Sequence, residues 1–517
     1  MWLAVGAIGV YVVLRAWKLG FTHDESLSYG IVWGDSGFAS SANNHWLNTW
    51  LMGVSGRVFG HSELALRLPN VAAYALYGVC CGLLLVELRH AGARLAGFTI
   101  LFANPFLLEF FSLARGYGLS LGFTAAALAA FLVGRRRRPS PWEDVARLAV
   151  IAVAGGLAAY ANATALILVL ALVGAQVSEM VVRAAARRPR RAGPVIAGAA
   201  VAMAAGVGLL PVVRRGFDLE KRGELYYGGQ DGFVADTVGS LLTSAAYRPL
   251  EAAPPWWLLG AKVAVIGVAV AAGAWATLRV LSRHDRHWGN LQRAALVLAA
   301  VVAAPLLQHH WRGTLYPIER TALLYVVAFA VLVAFAIEEL ARVRPGLPVK
   351  VSLAVPTGAV SLLAILNLAA NANLHQTLTW AYDASSHRAV AELVAIERRQ
   401  GPPPQRWKLV TGFPRNEAFN YYRARLQLHW LEPVTREPTT TEGADFYYVG
   451  KQDIATLPGG TTLIRTFSEA GTQLRAGPAG DTARPSLQPW TGTAALSGAG
   501  GRPGRSAAGP GSARTLR

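Results

Sequence analysis

Two adjacent acids, Asp24 and Glu25, stand in the run Phe21-Thr22-His23-Asp24-Glu25-Ser26, just beyond the first apolar block of a 517-residue chain. A carboxylate at such a helix exit, in a partly dry cleft, can take the proton of a hydroxyl attacking an activated carbon, provided its pKa stays below the working pH. The plain alternative is a solvated acidic turn that caps the helix exit. Polar side chains follow closely: Tyr29, then Asn43, Asn44, His45 and Asn48. Three more polar stretches lie far away in sequence. One spans Glu109 to Tyr117 and contains Arg115; one spans Arg214 to Glu251; the third runs from His309 to Arg320, with His310, Arg312, Tyr316 and Glu319.

An arginine beside apolar helix ends suits a phosphate oxygen, because its fork donates two hydrogen bonds and its charge cannot be lost. Arg115 answers that description, and snorkelling or an ion pair with Glu109 answers it equally well. Arg15 and Lys18 are read as snorkelling to lipid headgroups. In the middle stretch Glu224, Tyr226, Tyr227 and Gln230 mix rings with polar groups as sugar sites do, and an interfacial aromatic belt explains the tyrosines as well. His309 and His310 are consecutive, so they point apart and do not chelate one ion. His23, Asp24, Glu25 and His45 leave a divalent metal ion possible without any motif spacing.

These residues must be positioned by membrane helices. The chain is 53% hydrophobic and 15% charged, and its apolar residues come in long uninterrupted blocks, such as Ala294 to Leu307 and Thr321 to Ile337, which need lipid rather than water. The blocks predict about eleven spans, near residues 1–19, 66–88, 95–112, 116–133, 147–161, 164–183, 194–213, 256–279, 293–308, 321–341 and 351–370. The opening block lacks a basic leader and a small-residue cleavage site and reads as a retained first helix. Net charge is +19, but the positive residues sit in short clusters without stacking aromatics, which argues against nucleic acid and for topology signals. Arg135 to Arg138, Arg183 to Arg191, Arg279 to Arg293 and Arg342 to Lys350 fall on one side, the expected cytoplasm; the acids, the other polar stretches and the carboxyl end fall on the opposite side. Cys80 and Cys81 are adjacent, form no ordinary disulfide and offer no metal spacing.

The expected fold class is therefore an all-α polytopic membrane protein with a small extracytoplasmic α/β C-terminal domain. Residues 1–370 form the membrane domain with outer loops 20–65 and 214–255. Residues 371–483 form the soluble domain, with strands at Trp407 to Gly412 and Phe446 to Val449 and a helix at Asn416 to Leu426. From residue 484 a Gly, Ala, Ser, Pro and Arg tail is too poor in large apolar groups to order.

Four short motifs, in this order and on one side, carry a resemblance: Asp24-Glu25 after the first helix, ELALRLP from Glu63 to Pro69, Ala114-Arg115-Gly116-Tyr117, and Tyr316-Pro317-Ile318-Glu319-Arg320. Together they resemble the GT-C membrane glycosyltransferases, and within them bacterial members related to protein O-mannosyltransferases and aminoarabinose transferases, over residues 1–370. The resemblance implies an enzyme of the bacterial plasma membrane. It would move a hexosyl or pentosyl group from a polyprenyl-phosphate donor to an extracytoplasmic glycan, lipid or protein acceptor, with inversion and without a nucleotide. It implies Asp24 as general base and Glu25 as its support or as an acceptor-binding group. Arg115, Arg320 and Arg312 would meet the donor phosphate, and Tyr29, Asn44, His45, Tyr117, Tyr226, His310 and Glu319 would meet sugar or acceptor. Where that family commonly has a His-Pro-Pro segment, this chain has Asn43 to Asn48. A transporter or flippase of lipid-linked sugars is the main rival; it calls for mid-membrane charges and matching halves, whereas the ionisable residues here gather at helix ends. A membrane scaffold is a third reading. Acceptor binding is the expected role of the soluble domain.

Overall fold

The computed structural model describes residues 1–34, 37–134, 140–186, 193–248, 252–281, 288–343 and 347–478. The tail expected from residue 484, and most of the basic runs between helices, lie outside these.

Apolar blocks in hydrocarbon must satisfy their own backbone N–H and C=O groups, so they become helices. In chain order these are α1 (Trp2–Lys18), α2 (His23–Trp33), α3 (Trp46–Phe59), α4 (Glu63–Val86), α5 (Ala91–Phe102), α6 (Pro105–Glu109), α7 (Gly116–Leu132), α8 (Pro141–Ala161), α9 (Leu166–Ala186), α10 (Gly193–Lys221), α11 (Gly239–Ala245), α12 (Pro255–Leu281), α13 (Asn290–Arg312), α14 (Leu323–Val343) and α15 (Leu347–Asn371). Eight of them, α4, α8, α9, α10 and α12 to α15, are long and apolar enough to cross a membrane, and two bent pairs, α1 with α2 and α5 with α6, raise the number to ten. The apolar helix α7 is shorter than these, at 17 residues, so the described residues hold eight to ten spans where about eleven were expected.

Apolar composition does not say which helix is central. The α7 helix is buried on nearly every side, against α4, α8, α9 and α14. By contrast only 6% of the most apolar window of α12 and of α15 is buried, so these two lie on the outside of the bundle. At the end opposite the site, Asp144, Glu179, Arg183 and Arg293 join α8, α9 and α13 through ion pairs. Part of the positive charge read as a topology signal is thus also neutralised within the protein.

The expected outer loop 20–65 is largely helical. After α1 the chain turns by 68° into α2, where Thr22 and Glu25 form a reciprocal capping box that satisfies two free N–H groups. Every residue from His23 to Tyr29 is buried, because α2 turns away from the line of α1 and packs against α3 on one side and the soluble domain on another. A helix buried on several faces shows no single apolar stripe, which is why its periodicity was invisible in the sequence. The break near Asn162 is a short 3₁₀ turn, Ala163–Ala165.

The soluble domain contains α16 (Ser386–Gln400), α17 (Asn416–Arg425), β1 (Leu409–Thr411), β2 (Phe446–Gly450), β3 (Thr462–Phe467) and β4 (Thr472–Ala476). Its sheet has the order β1-β2-β4-β3; β1 and β2 are parallel and the other pairs antiparallel. Leu393, Ile396, Leu409, Phe419 and Tyr448 of this domain share one apolar cluster with Phe21, Tyr29, Met52 and Leu66 of the membrane part. The domain is therefore seated on α2 and α3 through a common core.

Candidate active site

Local backbone requirements explain much of the site. Arg115 and Tyr117 flank Gly116, where a Cβ would stand 1.9 Å from the Ala161 carbonyl oxygen and 2.6 Å from His45 Nδ1. Only glycine lets the start of α7 press against α8 and α3 this closely. Asn48 fixes the same corner: its Nδ2 donates to the Ala114 carbonyl at 2.7 Å, and Asn70 donates to its Oδ1 at 2.8 Å.

Asp24 is 8% exposed. Its Oδ1 accepts from Asn43 Nδ2 at 3.1 Å, and its Oδ2 lies 3.4 Å from the Arg115 guanidinium. Arg115 also donates to the Asp24 carbonyl oxygen at 3.0 Å, to Ser28 Oγ at 3.2 Å and to Asn43 Oδ1. Burial alone would raise the Asp24 carboxyl; Arg115 above all, then Arg320, outweigh it and hold the group below the usual aspartate range. Burial lowers both His23 and, more strongly, His45, so each imidazole is neutral at neutral pH. The ionised carboxylate therefore faces no competing imidazolium.

Arg115 is fully buried. It stands behind the acid as its counter-ion rather than on a cavity wall, and it does not pair with Glu109. We expect Arg115→Ala to move the acid limb of the pH–rate profile upward by about one pH unit or more, since the main charge lowering the Asp24 pKa disappears while burial remains. An unmoved limb in a folded variant excludes this coupling.

Glu25, expected beside Asp24, is sealed in a different environment. It is 0% exposed and receives Arg67 through two bonds of 2.7 Å, the Ala114 N–H at 2.6 Å and the Thr22 N–H at 2.9 Å. Both oxygens are occupied, so Glu25 is placed to hold α2 to α4 and α7. Arg67 spends its remaining donors on the carbonyls of Ala16, Leu19 and Gly20. Sequence reading met this arginine only inside a motif; the available signal was a cation in the first turns of an otherwise apolar helix. Arg15, expected to snorkel, is buried instead: it pairs with Glu109 at 3.1 Å and donates to the Asn373 and Gln376 carbonyls. It ties α1 to the start of the soluble domain.

Arg320 has a different setting. Its guanidinium covers the Tyr227 ring at 4.1 Å and approaches the Trp380 ring at 5.4 Å, and one nitrogen donates to Tyr227 Oη at 3.2 Å. Tyr227 in turn donates to Glu319. Arg320 lines a narrow cleft with Tyr117, Ser120 and Thr124 of α7, Asn162 and Thr164 at the α8–α9 break, and Leu323 and Leu324 of α14. His45 lies at this same corner: its ring meets Tyr117 at 4.8 Å, and its Nδ1 stands 2.8 Å from the Ala161 carbonyl oxygen. A carbonyl oxygen can only accept, so Nδ1 is the donor and carries the proton.

The remaining expected residues lie elsewhere. Tyr29 bonds His61 at 2.7 Å and packs on Trp33 and Tyr421, under the soluble domain. Asn44 holds the α2–α3 turn through the Ala39 carbonyl and Thr49. Arg312 pairs with Glu220 at 2.8 Å and covers the Phe217 ring, and the exposed His310 sits beside it at the end of α13. Tyr226 is 80% exposed. Among the described residues no group of three or more His, Cys, Asp or Glu could hold a metal ion.

The chain trace is similar to those of several solved membrane proteins. ArnT from Cupriavidus metallidurans bound to undecaprenyl phosphate is 14% identical, with 94% of this chain and 99% of that chain covered and a TM-score of 0.49. Arabinosyltransferase EmbB from Mycobacterium smegmatis is 13% identical, with 82% of this chain and 42% of that chain covered and a TM-score of 0.39. The oligosaccharyltransferase AglB from Archaeoglobus fulgidus, in complex with an inhibitory peptide and a dolichol-phosphate, is 12% identical, with 86% and 69% covered and a TM-score of 0.42. These are GT-C fold membrane glycosyltransferases, the family the sequence motifs resemble. No family model and no curated protein matches the chain.

Proposed function

We propose that the protein is an integral membrane glycosyltransferase that moves a sugar from a polyprenyl-phosphate donor to an extracytoplasmic acceptor, with Asp24 as general base. The observation that supports it best is a slightly exposed carboxylate, Asp24, held by Arg115 at 3.4 Å and Asn43 at 3.1 Å, on a chain whose Arg320 lines a cleft between membrane helices. A guanidinium at the mouth of such a cleft, beside apolar helix ends, suits the phosphate of a lipid-linked donor. The donor class itself comes from the sequence motifs. The side of the membrane comes from the basic clusters at the opposite end.

The chemistry then needs little else. The acceptor hydroxyl attacks the anomeric carbon on the face opposite the leaving phosphate; Asp24 takes its proton as the new bond forms, and Arg320 stabilises the charge that gathers on the phosphate. In-line displacement inverts the anomeric centre. Glu25 and Arg67 set the position of α2, and Arg115 keeps Asp24 ionised.

Lipid-linked-sugar profiling of cells lacking the protein tests this reading, the expected result being an accumulated polyprenyl-phosphate sugar. An unchanged profile together with a blocked export of such lipids would favour a flippase. At the donor end, Arg320→Ala should raise the donor KM by roughly tenfold or more, the loss of one charge-assisted contact. Arg312→Ala should leave it unchanged, because that side chain is paired at the surface away from the cleft. A reversed order of effects would move the phosphate site to the α10–α13 end.

A further inference from the structure

Among the described residues between α2 and α3 the chain forms only a short 3₁₀ turn, Gly37–Ser40, so the backbone groups that follow must find partners elsewhere. They find them at the C-terminal end of α10 and just past it, 171 to 182 residues away in the chain. Arg215 donates from one nitrogen to the carbonyls of Ser41 and Asn44, both at 2.7 Å, and its guanidinium lies over the Trp46 ring at 4.4 Å. Arg222 donates to the Ser40 carbonyl at 2.7 Å, Glu224 accepts the Ala42 N–H at 2.8 Å, and these two side chains pair with each other at 3.2 Å. Backbone groups of Ser40, Ser41, Ala42 and Asn44 are thus all held from one direction.

The residue inside this clamp is Asn43, between the two carbonyls that Arg215 holds. Its side chain bridges the base and its counter-ion: Nδ2 donates to Asp24 Oδ1 at 3.1 Å, while Oδ1 accepts from Arg115. An amide serves both in one orientation only, because its donor and acceptor ends are distinct. A segment free to move would present that amide for part of the time, and Asp24 would lose a donor that favours its ionised form. We infer that Arg215 is a positioning residue for sugar transfer, which keeps Asn43 against Asp24 by gripping the backbone on either side of it. The role in transfer rests on the reading of Asp24 as the base; the clamp does not. In sequence Arg214 and Arg215 are adjacent and alike, and only the structure turns one of them onto this segment while the other stays exposed.

Hydrogen–deuterium exchange and the pH–rate profile of the full chain in detergent, read together, test this. Arg215→Ala should speed exchange of the amides within residues 37–45 about tenfold or more, through the loss of two charge-assisted bonds; Arg214→Ala should not. Transfer is followed with the polyprenyl-phosphate sugar purified from cells lacking the protein and an envelope extract of those cells as acceptor. There Arg215→Ala should lower kcat about threefold to tenfold, leave donor KM little changed and move the acid limb upward by about half a pH unit, the worth of one hydrogen bond to the carboxylate. The limb rises because a carboxylate that loses a donor is protonated at higher pH. Asp24 is also faced by Arg115, Arg320, His23, Tyr382 and Asp383, all unaltered in these variants. Asn43→Ala should move the limb equally, and Arg215→Ala added to it should move it no further, since both act through one amide. Unchanged exchange, a limb unmoved in either single variant, or a shift that adds to that of Asn43→Ala overturns the proposal, the last because the charge of Arg215 would then act directly. If Asp24→Asn retains turnover, the base reading fails and takes the positioning role with it, whereas faster exchange in Arg215→Ala still upholds the clamp on Asn43.

Discussion

Asp24→Asn, in protein that still folds and inserts, should lower kcat for sugar transfer by roughly 10²- to 10⁴-fold, the usual contribution of a positioned general base. The substitution is nearly isosteric. Asn43 and Arg115 stay in place around it, and the donor cleft at Arg320 is untouched, so donor KM should change little. A single-turnover assay with membrane-embedded protein and purified lipid-linked sugar separates the two constants. Turnover within a few-fold of wild type would remove Asp24 from the chemistry. The pH profile of the unaltered enzyme is a companion observation. Asp24 lies below the usual aspartate range, so it remains ionised down through ordinary carboxylate values, and the activity it supports is lost only as pH falls through that lowered value. Substitution of Arg115 should bring the loss to higher pH.

The second large effect falls on stability. Arg67 and Glu25 form a pair in which both side chains are 0% exposed, and Arg67 also holds three backbone carbonyls at the α1–α2 corner. Removing one partner of such a pair leaves the other charge buried, which costs about 3–5 kcal/mol. Arg67→Ala should therefore cause steep loss of folded protein or a large fall in Tm, read by detergent-stable yield and thermal unfolding. The contrasting pair Arg388–Glu469 has side chains 40% and 37% exposed, and Arg388→Ala should cost no more than about 1 kcal/mol. Equal stability of the two variants would show that the buried pair is not what fixes α2. The pair matters for function because α2 carries Asp24: the bond from Glu25 to the Ala114 N–H also links that helix to the segment bearing Arg115.

Charge and burial explain why several residues of the expected site proved structural. In sequence, Arg15, Arg67, Arg115 and Arg320 look alike, each a cation near an apolar helix end. Three of them are spent on Glu109, Glu25 and Asp24, because a guanidinium withdrawn from water needs an opposite charge and several acceptors around it. Only Arg320 lines the cleft. Which carboxylate meets which arginine depends on helix neighbours that are up to a hundred residues apart in the chain. Similarly, Trp380 and Asp383 could not be assigned to the site in advance, since nothing local in their surroundings says that the chain re-enters the α1–α2 corner after α15.

What the sequence determined by itself was the helical membrane architecture. Uninterrupted apolar blocks force helices wherever lipid replaces water, so the apolar helices were readable from composition alone, as were two strands and the helix Asn416–Arg425 of the soluble domain. The position of Asp24 at the exit of the first helix, and of Arg115 and Arg320 at other exits on the same side, followed from counting spans. The tertiary structure decided which helix is central and which meet lipid, because apolar side chains suit both environments equally. It also decided that the stretch after α1 is a buried helix, how the four arginines are divided between counter-ions and cleft, and that the soluble domain closes over the start of α2. These are outcomes of packing between distant segments, where burial converts a charge from a free binding group into an obligatory partner.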